Sequence, residues 1–109
     1  MRVRPNDNAR SIPYLSQKRE YYVIGLSRTY IRVVDDDGEP VLIPRDAFEV
    51  LDDFIPSDWI WEQFSDDEYY ADPPELSARG FYDAYFDGKE EAIRCFESYI
   101  KRLGSAKFS

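Results

Sequence analysis

Six short β-prone segments, separated by turn signals, follow one another between residues 21 and 71. Each is three to six residues of mainly β-branched, aromatic or aliphatic side chains, which favour pleated strands. Asp37-Gly38 is typical of a hairpin turn, and Asp72-Pro73-Pro74 ends the last segment. The predicted strands are Tyr21–Leu26, Thr29–Val34, Val41–Ile43, Phe48–Leu51, Trp59–Phe64 and Glu68–Ala71.

The clearest helical pattern follows the strands, from Lys89 to Leu103, where apolar residues recur at helical spacing. Asp87 is expected to cap this helix and Gly104 to end it. Strands that precede the main helix favour an α+β fold over α/β. We therefore predict a small curled antiparallel sheet or SH3-like partial barrel of about five short strands, with a C-terminal amphipathic helix packed on it.

The domain organisation is expected to be simple. Residues 1–19 are polar and interrupted by Pro5 and Pro13, which predicts an N-terminal arm or loop. Residues 20–109 are expected to form a single α+β domain, with strands over about 21–71 and the main helix over about 89–103. The chain is 43% hydrophobic and 17% aromatic, which argues against a disordered chain.

Two residue counts restrict the chemistry. The sequence has no histidine, which excludes Ser-His-Asp and Cys-His catalytic arrangements and Cys/His zinc sites. Cys95 is the only cysteine, so no internal disulfide can form and a reducing, cytoplasmic location is expected. No apolar run approaches the length of a membrane helix. We predict no catalytic residue, no metal site and no cofactor.

Acidic side chains are concentrated in the middle of the chain. Residues 35–87 hold two basic and seventeen acidic residues, a net charge of −15 in a chain whose total is −8. Free nucleic acid is an unfavourable partner, because its affinity for proteins comes mainly from Lys and Arg. Asp35–Asp37 does not match a calcium-binding EF-hand loop, since Val33 and Pro44 occupy ligand positions. An acidic field of this kind either steers basic proteins or serves solubility alone.

The most aromatic part of this acidic region is Phe48–Tyr70, which holds both tryptophans and whose charged side chains are all carboxylates. Trp and Tyr dominate binding hot spots, so these residues predict a surface for a basic partner protein. The alternative is that the aromatic side chains form the core. The candidate partner-binding residues are Asp52, Asp53, Asp58, Trp59, Trp61, Asp66, Asp67, Tyr69 and Tyr70.

Several short motifs between residues 20 and 103 resemble a group of small bacterial proteins. The motifs are Tyr22-Val23-Ile24-Gly25-Leu26, Tyr30-Ile31, Pro44-Arg45, Phe48-Glu49-Val50, Asp52, Ile55-Pro56, Asp58-Trp59, Pro73-Pro74-Glu75-Leu76, Gly80-Phe81-Tyr82 and Tyr85-Phe86-Asp87-Gly88. Proteins of this group have no assigned function, and some are grouped with immunity proteins of polymorphic toxin systems. The resemblance implies a small protein that binds and blocks a toxin, and it carries no catalytic residue over to this chain.

Three functional hypotheses follow. The first is a non-catalytic acidic protein-binding domain, such as an immunity-type inhibitor of a basic partner. The second is a small enzyme or ligand-binding domain that uses carboxylates in a concave pocket. The third is a homodimeric structural protein that uses the aromatic face on itself. The sequence leaves open whether the chain is a monomer or a homodimer.

Overall fold

A computed structural model describes the backbone of residues 1–107 and the side chains of residues 1–103. The chain divides into two compact units, Met1–Asp72 and Pro73–Ser109. The first unit contains all the strands that the structure describes, and the second contains two α-helices. The strands are β1 (Arg2–Pro5), β2 (Tyr21–Ser27), β3 (Tyr30–Val34), β4 (Pro40–Pro44), β5 (Phe48–Asp52), β6 (Ile60–Ser65) and β7 (Glu68–Asp72).

The sheet is organised around β2, and every strand pair in it is antiparallel. One path of neighbouring strands runs β4-β3-β2-β1-β5. β7 pairs with the end of β2 through Leu26 and Ser27, and β6 pairs with β7. The predicted α+β class, with an antiparallel sheet and a C-terminal helix, is confirmed. The described residues form seven strands rather than about five.

A β-bulge in the middle of β2 changes which side chains face the core. Val23 lies opposite Val33 and Leu26 opposite Ile31, so three steps along β2 match two steps along β3. The extra residue brings both Val23 and Leu26 onto the buried side, although simple alternation would separate them. The sequence predicted that Gly25 permits a bulge or a sharp bend, and the register shift beside it confirms this.

The core of the first unit is built from aliphatic residues of the central strands and a few aromatic rings. Tyr21 is buried with its hydroxyl satisfied, because it donates to Asp36 Oδ1 at 2.6 Å and accepts from the Ser16 amide at 2.8 Å. Asp35 is also buried, and its Oδ1 accepts from the amides of Asp37 and Glu39. The carboxylate of Asp35 therefore stabilises the turn at the tip of the β3–β4 hairpin. The buried cluster comprises Val3, Ala9, Leu15, Tyr21, Val23, Leu26, Ile31, Val33, Ile43, Ala47, Phe48, Trp59 and Ala71.

The N-terminal arm predicted for residues 1–19 is wrong at its start. Residues 2–5 form β1, which pairs with β2 on one side and β5 on the other. Pro5 lies at the last position of β1, where β1 pairs with β5 but not with β2. With a strand neighbour on one side only, this is an edge position, and edge positions tolerate a residue without an amide donor.

The second unit contains α1 (Phe81–Phe86) and α2 (Glu90–Lys107). Gly80 precedes α1 with φ 76°, a left-handed conformation that glycine adopts at no steric cost. Asp87 is the C-cap of α1 rather than the cap of the long helix. Gly104 does not end α2, which continues to Lys107. No helix among the described residues is long and apolar enough to cross a membrane.

Side chains inside the second unit connect its elements. The rings of Tyr85 and Phe96 are 4.9 Å apart in an edge-to-face arrangement. Cys95 Sγ donates to the Glu75 carbonyl at 3.3 Å, and Arg102 forms an ion pair with Glu75 at 3.3 Å. The half-buried thiol thus has a structural hydrogen bond. Packing of the long helix on the sheet stays a prediction.

Candidate functional site

The hairpin formed by β6 and β7, residues 60–72, is the most exposed part of the sheet. Every residue of β6 is exposed to solvent. Among the described residues, β6 pairs with β7 alone, so its other edge has no strand neighbour. Polar groups along such an edge are open to another chain.

The register of the β6–β7 hairpin assigns its side chains to two faces. Trp61 lies opposite Ala71, which is fully buried, so the Trp61 face continues the core side of the sheet. Glu62 lies opposite Tyr70, and this pair faces the other way. Both faces therefore carry aromatic side chains.

Each face holds one aromatic pair across the two strands. On the core side, the rings of Trp61 and Tyr69 are 5.6 Å apart and tilted by 34°. On the outer side, the rings of Phe64 and Tyr70 are 5.2 Å apart and nearly perpendicular. Contacts of this kind stabilise aromatic pairs beyond their buried area. They hold the four rings in defined positions on an exposed element.

Four large apolar side chains of the hairpin keep about half of their surface in water. The exposed fractions are 50% for Ile60, 55% for Trp61, 56% for Phe64 and 44% for Tyr70. Single exposed apolar residues are ordinary, but several on one hairpin form a patch of the kind that marks interaction sites.

Two arginines from other parts of the first unit hold the hairpin in place. Arg28, in the turn between β2 and β3, donates from Nη1 to Asp67 Oδ1 at 2.7 Å and to the Asp67 carbonyl at 3.3 Å. Arg45 donates from Nη1 to the Tyr69 hydroxyl at 3.2 Å and to the Ser27 carbonyl at 3.0 Å. The hairpin tip and one of its aromatic side chains are thus both connected to the end of β2.

The charge on this element is of one sign. Residues 58–72 hold six carboxylates and no Lys or Arg. Arg28 offsets the charge of Asp67. Asp58, Glu62 and Asp66 are exposed and have no ion pair among the residues that the structure describes. The hairpin therefore presents uncompensated negative charge beside its apolar side chains.

Asp72, at the end of β7, is the one carboxyl here with a strongly shifted pKa. Burial raises the pKa of Asp72 to about 6, and the negative charge of Glu62 adds to the increase while Arg32 opposes it. The carboxylate lies close to Gly25, since a Cβ on Gly25 would be 2.8 Å from Asp72 Oδ1. Perturbed carboxyls are often functional, but close packing against β2 accounts for this one.

The structure brings five of the nine predicted partner-binding residues together on or beside one element. Trp61, Asp66, Asp67, Tyr69 and Tyr70 belong to the β6–β7 hairpin. Of these, Tyr69 is half-buried and contacts the core cluster, and the other four are exposed.

The remaining four lie elsewhere. Asp58 is exposed in the turn just before β6. Trp59 is only 6% exposed and belongs to the core, so its assignment to a partner surface is wrong. Its amide donates to the Pro56 carbonyl at 3.3 Å, and this turn directs the ring inward before β6 begins. Asp52 and Asp53 lie at the end of β5, where Asp52 Oδ2 is 3.8 Å from Arg2 Nε.

Sequence reasoning missed several residues that define the hairpin surface. Ile60 and Phe64 were assigned to a strand but not to the site, although their alternation with Glu62 indicated that apolar residues occupy both faces. Arg28 and Arg45 gave no signal, because each is far along the chain from its partner. The contact between Gly25 and Asp72 was missed for the same reason, since these two residues are also far apart in the sequence.

No group of three or more Cys, Asp or Glu residues in the described part of the chain is placed to hold a metal ion. A depression beside β5 is lined by Arg2, Val50, Leu51, Asp52 and Asp53. A second cavity, of about 450 Å³, lies within the second unit and includes both acidic and basic side chains.

Comparison with known proteins yields no relative. No protein-family model, no curated protein and no solved structure matches this chain significantly.

Proposed function

We propose that this chain is a non-catalytic protein-binding domain that uses the β6–β7 hairpin to hold a basic partner protein, in the manner of an immunity-type inhibitor in the cytoplasm. The observation that carries the proposal is the aromatic pair on each face of an acidic hairpin, in which Trp61, Phe64 and Tyr70 are about half exposed. Folding alone does not account for apolar side chains left half in water on both faces of one element.

The aromatic side chains supply the apolar contact area. Trp61 and Phe64 are each more than half exposed, and each ring is held against a tyrosine of β7. Rigid aromatic side chains lose little conformational entropy on binding, and Trp and Tyr are enriched among residues whose truncation weakens complexes most. Covering them would remove apolar surface from water.

The carboxylates select the sign of the partner. Asp58, Glu62 and Asp66 have no described ion pair that offsets their charge. Opposite charge on a partner increases the rate of diffusional encounter, and it does so less at high salt. A basic protein therefore fits this surface, and a nucleic acid does not.

The other two hypotheses have less support. A carboxylate-based enzyme needs acidic groups that converge in a concave site. Asp58, Asp66 and Asp67 are instead exposed on a turn and a hairpin tip, and the depression that Asp52 and Asp53 line also includes the basic side chain of Arg2. A homodimer through the β6–β7 hairpin would bring two acidic hairpins together without added positive charge.

Affinity capture from a lysate of the organism that makes this chain tests the proposal. The bait is used at low and at moderate salt, and bound proteins are identified by mass spectrometry. A second bait carries Trp61→Ala and Asp66→Lys, and a control bait carries Leu42→Ala and Glu97→Lys. Leu42 is 47% exposed on β4, and Glu97 is exposed on α2, so the control changes similar chemistry away from the hairpin.

We expect a basic protein that the unaltered and control baits retain, that the hairpin bait loses, and that moderate salt weakens. Retention of the same proteins by all three baits at both salt concentrations would overturn the proposal.

A further inference from the structure

We infer that the free edge of β6 is itself the docking site, and that it pairs with an extended strand of the partner in which basic and apolar residues alternate. This inference rests on the proposed function and specifies how the basic partner binds.

The first step concerns the backbone of β6. In an antiparallel pair, alternate residues direct their amide and carbonyl groups toward the neighbouring strand, and the residues between them direct theirs outward. β6 has six residues and pairs with β7 alone among the described strands. Every second residue of Ile60–Ser65 therefore presents an amide and a carbonyl to solvent.

The second step concerns the protection that such edges usually have. Proteins commonly shield an exposed edge with charged side chains, especially Lys, with Pro, with a β-bulge or with a covering loop. β6 has no Lys, Arg, Pro or Gly, and all six of its residues are exposed. A register shift between Gln63 and Ser65 is the one irregularity near its end. The regular part of the edge, residues 60–63, is thus open over a length of about 13 Å.

The third step concerns the side chains that an added strand would meet. On the outer face it would lie beside Ile60, Glu62 and Phe64, and on the core side beside Trp61 and Gln63. Side chains of neighbouring strands are close enough to interact directly. A basic residue facing Glu62 gains an opposite charge, and an apolar residue facing Trp61 covers an exposed ring.

The last step selects the occupant. A second copy of this chain could also pair its β6 at this edge, but each copy brings the uncompensated carboxylates of Glu62 and Asp66 on the hairpin and of Asp58 just before it. Like charges in neighbouring strands are destabilising, whereas a basic strand neutralises them. Charge complementarity therefore favours a basic partner strand over self-association. Addition of a strand to a free edge is an established mode of peptide recognition.

The test uses a synthetic peptide of about ten residues that alternates Lys and Val, which has the charge and strand preference that the edge requires. The control peptide alternates Lys and Pro, so it carries the same charge but cannot form a regular strand. Binding is followed by NMR titration of the whole chain, and amide hydrogen exchange is measured for each residue of β6.

The expected result is that the Lys-Val peptide slows exchange about tenfold or more at alternate residues of β6, and that the Lys-Pro peptide does not. Glu62→Lys should weaken binding of the Lys-Val peptide about tenfold because it adds a like charge to the edge, whereas Glu97→Lys should leave it unchanged.

Three results would overturn the inference: equal binding of both peptides, binding without alternating protection in β6, or no binding of the Lys-Val peptide. Alternating protection in the free protein caused by a dimer would also overturn it, since the edge would then be occupied by a second copy. Each of these results could be obtained while hairpin-dependent capture of a basic protein, the test of the proposed function, still succeeds. Failure of edge pairing is therefore distinguishable from failure of the proposed function.

Discussion

Trp61 and Tyr69 lie with their rings 5.6 Å apart on one face of the hairpin, yet the surroundings of the two side chains differ. The Tyr69 hydroxyl accepts a hydrogen bond from Arg45, and its ring contacts the core cluster. Trp61 has 55% of its surface exposed. Tyr69 thus connects the core to the ring that a partner can reach, and this arrangement allows the roles of stability and binding to be separated by mutation.

Replacement of Trp61 by Ala should weaken partner binding far more than it lowers stability. We expect a loss of about 1–3 kcal/mol in binding free energy, because exposed aromatic anchors are typical hot spots. The free energy of unfolding should fall by about 1 kcal/mol or less, since the ring is half in water. Calorimetric titration with the captured partner and urea denaturation measure the two quantities. Leu42→Ala is the control, and an equal loss of binding in that variant would show that Trp61 is not a specific contact of the partner.

Reversal of a charge at the hairpin tip should slow association. Asp66 is exposed and has no ion pair among the described residues, so Asp66→Lys changes the field with little effect on folding. We expect the association rate constant at low salt to fall about threefold to tenfold, while the dissociation rate changes less. Stopped-flow measurements over a range of salt concentrations test this. If Glu97→Lys, which changes the net charge equally, slows association as much, the local field of the hairpin is not responsible.

The raised pKa of Asp72 makes a prediction about stability and pH. The pKa of this carboxyl is about 6 in the folded protein against an ordinary value of 3.8, so folding favours its protonated form. The protonated Asp72 carboxyl therefore contributes to stability below about pH 4, and this contribution is lost as the pH rises through about 6.

Asp72→Asn removes this titration. Relative to the unaltered chain, the free energy of unfolding of the variant should rise by about 1–2 kcal/mol as the pH increases from about 4 to about 6. This figure is smaller than the full pKa shift would give, because the carboxyl is not fully buried. Urea denaturation at a series of pH values provides the measurement. A stability difference that does not change over this pH range would show that the carboxyl titrates normally.

The close approach of β7 to β2 predicts that Gly25→Ala is destabilising. A Cβ at this position would lie 2.8 Å from Asp72 Oδ1 and 3.2 Å from Arg32 Cβ. We expect a loss of about 1–3 kcal/mol in the free energy of unfolding, because the added methyl group must displace one of these atoms.

A double-mutant cycle identifies which contact is responsible. If the Asp72 carboxylate is the obstacle, Asp72→Ala should restore part of the stability lost in Gly25→Ala, so the two changes should not be additive. Strict additivity would show that the added methyl group does not meet Asp72.

The sequence predicted those features of the fold that depend on local pattern. The alternation of residues 21–71 and the turn signals between them placed six of the seven strands within one or two residues of their observed bounds. β1 was missed because Arg2–Pro5 is a short, charged segment with a proline, and it becomes a strand only by pairing with β2 and β5. Gly104 looked like a helix end, but the backbone of α2 continues through it.

The candidate site was predicted only in part, because only some of its features follow from local sequence pattern. Composition indicated an acidic and aromatic surface, and Trp61, Tyr70 and Asp66 are exposed on one hairpin. Periodicity did not separate Trp59 from Trp61, because a turn before β6 directs the first ring into the core. The supporting contacts of Arg28 and Arg45 join residues far apart in sequence, and no local pattern encodes them.

Site-specific photocrosslinking tests whether the β6–β7 hairpin is the surface that contacts the partner. A photoreactive phenylalanine analogue replaces Phe64, which is 56% exposed on the hairpin, or Leu42, which is 47% exposed on β4. We expect light to produce one covalent adduct with a basic protein at position 64 and none at position 42, and we expect the adduct to decrease as salt is added. The same adduct from both positions, or no adduct at position 64 when a partner is bound, would contradict the claim that the β6–β7 hairpin is the binding surface.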